Sequence, residues 1–116
     1  MEEQFGQAKE KRKRILFLES MIGDRNEEIS SLQGEIASLR KKNGRAVKAE
    51  VDILIYQINK KIDALGKSVE ECKEEIEKTK GEIADLLSLC YAATEKEEER
   101  EKIESLMSET FGGKAS

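Results

Sequence analysis

Histidine, proline and tryptophan are absent from this chain of 116 residues, and aromatic residues make up only 4% of it. Without histidine, the commonest general base and the commonest neutral metal ligand are both missing. Without proline, no residue forces a helix to end. So few aromatics in so short a chain enclose little apolar volume, which argues against a globular core. There is no glycine-rich phosphate loop, no G-x-S-x-G, and no pair of carboxylates in an apolar setting. The acidic stretch 95–104 has the look of solvated glutamates on a helix rather than of a metal site. No apolar run approaches the roughly 18 residues of a membrane span, and Met-Glu-Glu-Gln does not open like a secretory signal. These absences predict a non-catalytic protein without cofactor, metal, small-molecule ligand or membrane partner. They also predict a soluble, intracellular one, cytoplasmic or nuclear.

Charge is what the chain has in quantity. Charged residues are 40% and hydrophobic residues 37%, with a net charge of −4. Residues 1–58 carry 11 Lys/Arg against 10 Asp/Glu, and residues 59–116 carry 10 against 15. The first half is nearly neutral with basic clusters, the second acidic. Disorder is the competing reading of so polar a composition, but here the apolar residues are periodic rather than scattered.

That period is seven. In the second half, Ile55, Ile62, Val69, Ile76, Ile83 and Cys90 occupy heptad position a; Ile58, Leu65, Cys72, Thr79, Leu86 and Ala93 occupy d. In the first half, Ile15, Ile22, Ile29, Ile36 and Asn43 occupy a; Leu18, Arg25, Leu32, Leu39 and Ala46 occupy d. Alternating steps of three and four place both columns on one narrow helical stripe, which needs a partner helix to bury it. The expected architecture is all-α, a long-helix coiled coil. β-Branched residues at a with leucine at d favour parallel two-stranded packing. In a parallel dimer, g–e′ neighbours would pair Arg14 with Glu19, Glu35 with Arg40, Glu75 with Lys80 and Lys96 with Glu101, all attractive. An antiparallel pairing would set e against e, where Lys73 and Lys80 would tend to meet like charges. A parallel homodimer is the preferred expectation, with a related coiled-coil chain as the other partner.

The two stripes are out of phase, because Asn43 and Ile55 lie 12 residues apart. Steps of four through 39–55 would unwind a supercoil locally, placing a register break near 43–54. Asn43-Gly44 offers the alternative, a turn that makes the chain a helical hairpin. That hairpin would leave residues 86–93 overhanging. A second weak point is Gly23, with Asp24 and Glu27 placed to cap a new helix. Thr94 and Glu97 repeat the capping pattern where the second stripe fails. The chain then divides into a basic helix start (1–14), a first seam (15–46), a second seam (47–93), an acidic helical extension (94–111) and a flexible tail (112–116).

Three segments are more apolar than a two-stranded seam requires, which implies additional neighbours. They nominate Phe17, Met21, Val51, Leu54, Tyr56, Leu87, Leu89 and Tyr91 as docking residues for a further protein, or as the contacts that join dimers into four-helix bundles. Cys72 and Cys90 lie in the seam rather than in a C-x-x-C pair, so reduced core residues are expected, with an interchain disulfide the other reading.

Basic residues supply the rival functional reading. Lys9, Lys11, Arg12, Lys13 and Arg14 run directly into the first seam, a layout that resembles the basic-region leucine zippers. That family carries a longer basic region, with an asparagine and an arginine spaced to reach base edges. Here residues 1–7 contain no arginine, and Gly6 is expected to interrupt the helix. The resemblance therefore implies contact with phosphate at most, by a nucleic-acid- or ribosome-associated helix using clusters 9–14 and 40–48.

Overall fold

The computed structural model describes residues 2–43 and 48–112, the side chains of Asn43 and Lys48 excepted. They form three α-helices, α1 (Glu2–Asn43), α2 (Lys48–Ala93) and α3 (Glu97–Phe111), with no strand among the described residues. The all-α class read from the heptads holds. Each helix carries charges that complement its dipole: Glu2 and Glu3 in the first turn of α1, Arg40, Lys41 and Lys42 in its last, and Glu97, Glu98 and Glu99 opening α3.

α1 runs unbroken through Gly6 and Gly23. The expected interruptions at these glycines do not occur. A mid-helix glycine costs about 1 kcal/mol relative to alanine, too little to break a helix held by a buried stripe. The proposed turn at Asn43-Gly44 and the d residue Ala46 fall at or within residues 44–47, outside the described residues.

The chain divides into two compact units, one of Met1–Glu19 with Glu74–Ser116, the other of Ser20–Lys73. In the first unit the start of α1 runs antiparallel to the end of α2. Lys11 meets Glu82 at 3.0 Å and Arg14 meets Glu75 at 2.9 Å, so the partner number falls as the residue number rises. The seam here is closed within one chain, as the hairpin alternative requires. Arg14 and Glu75, which parallel pairing would have given to Glu19 and Lys80, bridge each other instead. Lys80 turns to Glu77 on its own helix at 3.9 Å.

The expected overhang at 86–93 does not exist either. α3 packs back onto this unit and buries Ile103, Leu106 and Thr110. Leu87 and Cys90 are buried on α2 and Ala8, Ile15 and Leu18 on α1. A helix with two neighbours needs a stripe wider than a and d. That widening explains one correction: Leu87, an e residue, is fully buried, while the seam residue Leu86 is only half-buried.

In the second unit the later half of α1 packs with the earlier half of α2. Leu32, Ile36, Ile55, Val69 and Cys72 are buried. Ile22, Ile29, Leu39, Ile58, Ile62 and Leu65 are half-buried. Arg25, at a d position, is also half-buried and donates from Nη1 to the Met21 carbonyl at 3.5 Å. Folding its charge onto its own backbone lets the helix carry it there.

Candidate functional site

The basic cluster 9–14 is already occupied by its own chain. Lys11 holds Glu82, Lys13 holds Glu10 at 3.2 Å, and Arg14 holds Glu75. Lys9 stands over the Phe5 ring at 5.1 Å. Arg12 is half-buried, its Nε inside without a hydrogen-bond acceptor. A phosphate would have to displace carboxylates from three of the five cations. The sequence could not show this, because Glu75 and Glu82 lie more than sixty residues from their partners.

Apolar side chains make the more prominent surface. Leu16 and Phe17 are exposed in the first unit, with Leu89, Tyr91 and Phe111; Ile53, Leu54 and Tyr56 are exposed in the second. Five of the eight nominated docking residues are therefore at the surface. Met21 and Val51 are half-buried, and Leu87 is a correction, since it lies in the core under α3. The aromatic rings carry cationic neighbours: Arg14 over Phe17 at 5.4 Å, Lys60 over Tyr56 at 5.2 Å, Arg100 over Tyr91 at 5.2 Å. Such contacts hold a ring in one orientation on the surface at modest cost.

The turn between α2 and α3 is built on Thr94. Its backbone N–H donates to the Cys90 carbonyl at 3.1 Å, ending α2. Its hydroxyl accepts from the Lys96 N–H at 3.3 Å and donates to the Glu99 carboxylate. The expected capping box with Glu97 does not form: the N-cap of α3 is Lys96, whose side chain makes no capping bond. At the far end Gly112 takes φ +90°, the left-handed conformation that closes helices.

Both cysteines are buried, and neither is held in a disulfide. Burial pushes the Cys90 thiol above its ordinary value, because a thiolate loses hydration in the core. Among the described residues no three His, Cys, Asp or Glu side chains gather into a metal-binding group. Open clefts flank α3, among them one of about 360 Å³ against α1 lined by Phe5, Gly6, Lys9, Glu99 and Lys102, and one of about 500 Å³ against α2 lined by Leu87, Tyr91, Glu104 and Met107. No described helix is long and apolar enough to cross a membrane. No family model, curated protein or solved structure matches this chain.

Proposed function

We propose that the chain is a non-catalytic coiled-coil assembly subunit, a scaffold or tether that joins a second copy of itself or another helical chain. Its setting is intracellular, cytoplasmic or nuclear. One observation carries this reading: after the chain has closed its own seam, large apolar residues still stand together at the surface. Single exposed apolar residues are ordinary, but adjacent ones form patches. Ile53 and Tyr56, three positions apart on one face of α2, are such a pair, and Leu16, Phe17 and Leu54 add further exposed apolar surface. The nucleic-acid reading draws less support, since Lys11, Lys13 and Arg14 are committed to carboxylates.

Sedimentation equilibrium at micromolar concentration tests the assembly reading. Twice the chain mass is expected, falling towards one chain mass when Ile53 and Tyr56 are both changed to Glu. A single-chain mass for the unaltered protein at every concentration would contradict self-assembly.

A further inference from the structure

α3 brings little apolar surface to its unit. In Glu97–Phe111 the aliphatic residues that become buried are Ile103 and Leu106. α1 and α2 bury Ile15, Leu18, Ile76 and Ile83 in the same unit, besides the Leu87 that α3 covers. The driving force scales with the apolar area removed from water, so α3 is the helix held least.

Polar contacts repeat the contrast. Lys11 with Glu82 and Arg14 with Glu75 tie α1 to α2. α3 is tied at its start, where the Thr94 hydroxyl donates to Glu99 and the Arg100 guanidinium lies over the Tyr91 ring. Near its other end Thr110 is buried with its hydroxyl oxygen unmet. Docking α3 strips that group of water and returns no bond, which is a cost.

The hinge is equally loose. Lys96, the N-cap, makes no side-chain capping bond, and an uncapped helix start leaves its first N–H groups unmet. Clefts lie on both sides of α3, against α1 and against α2, so its packing is incomplete. Once detached, its 15 residues are near the length at which an isolated helix is marginal in water. Release therefore also returns chain entropy.

What lies beneath α3 differs from what lies between α1 and α2. Leu87, at an e position, is 0% exposed and borders the α3 cleft together with Tyr91. Ile76 is in the a column, next to the Glu75 that Arg14 holds, about three helical turns before that cleft. α1 keeps Ile76 covered when α3 leaves.

We infer that α3 is a lid. It detaches as one piece from α1 and α2 while those two stay paired, and so decides whether the Leu87 flank of α2 is covered or open. The lid is a property of the single chain and stands independently of the assembly reading.

Thiol labelling tests it. In a Cys72→Ser/Cys90→Ser background, Leu106→Cys places a thiol on the lid and Ile76→Cys one between α1 and α2. The two sites are equally covered in the closed chain, at 6% and 7% exposure. In excess thiol reagent without denaturant, the Leu106→Cys chain should react about tenfold faster or more, as local opening precedes global unfolding. Its rate should also rise less steeply with urea, because less surface is exposed on opening. A smaller ratio, or the same urea slope in both chains, would mean that α3 opens only with the whole unit and would overturn the lid. Hydrogen exchange of the unaltered chain, read by mass spectrometry, covers failure of a cysteine variant to fold. Amides of residues 97–111 should exchange about tenfold faster or more than those of residues 76–90; matched protection would contradict the inference.

Discussion

Arg14 and Glu75, 61 positions apart, meet fork to fork: Nε–H donates to Oε2 at 2.9 Å and Nη2 to Oε1 at 3.4 Å. The pair brings the start of α1 to the end of α2 within one chain. Both side chains are about half exposed, so the bridge sets orientation more than stability. A double-mutant cycle with Arg14→Ala and Glu75→Ala should give a coupling of about 0.2–1 kcal/mol, read from denaturant unfolding. Exchanging the residues, Arg14→Glu with Glu75→Arg, should recover most of what either single reversal loses.

Leu86 and Leu87 separate a two-helix seam from a three-helix core. Leu87→Ala should destabilise by about 2–5 kcal/mol, the range for a buried leucine. Leu86→Ala should cost clearly less, because that side chain is only half-buried. Equal losses, or the reverse order, in thermal or urea unfolding would mean that α3 does not cover this face.

Thr94 ties α2 to α3 through its hydroxyl. Thr94→Val keeps the shape but removes the acceptor for the Lys96 N–H and the donor to Glu99. A loss of about 1 kcal/mol is expected, the net worth of a typical hydrogen bond with its partner left unmet. Hydrogen exchange should show faster opening of α3, with α1 and α2 in the Ser20–Lys73 unit unchanged.

Cys90 gives the fold a pH dependence at the alkaline end. Its thiol is held above the ordinary value by burial, so the unfolded chain ionises first as pH rises. The stability linked to the neutral thiol is complete below the unfolded value and is lost as pH climbs through the folded one. Melting temperature should therefore decline above about pH 8.5, the free thiol value, more steeply than in Cys90→Ala. Alkylation of Cys90 at neutral pH should be slow, and mild oxidant should not link two chains through it.

The heptads of residues 15–39 and 55–90 made the helices and their inward stripes legible, because a period of seven constrains which face is buried whatever lies against it. They could not say what does. A stripe with isoleucine at a and leucine at d serves a parallel partner chain or a returning helix, and its g residues can pair with e′ across two chains or with g within one. Arg14 and Glu75, both g residues, show the second choice. The burial of Leu87 was hidden for a related reason: it depends on α3, whose own apolar rows, Ile103 and Leu106, are short and set among glutamates. Among the candidate surface residues, Tyr56 and Leu89 could be found because they lie outside the heptad stripe. The ion pairs of Lys11 and Arg14 could not, since their carboxylates are distant in sequence.

The reversal of the chain within one molecule is the central claim, and a distance between residues 14 and 75 tests it most directly. Spin labels at Arg14→Cys and Glu75→Cys, in a Cys72→Ser/Cys90→Ser background, are measured after dilution with excess unlabelled protein. Packed helices lie about 8–10 Å apart axis to axis, so a short, dilution-independent distance lengthened only by the label arms is expected. In one continuous helix the same positions would stand ~90 Å apart, at about 1.5 Å per residue. A distance of that order, or a short one that disappears on dilution, would contradict the account.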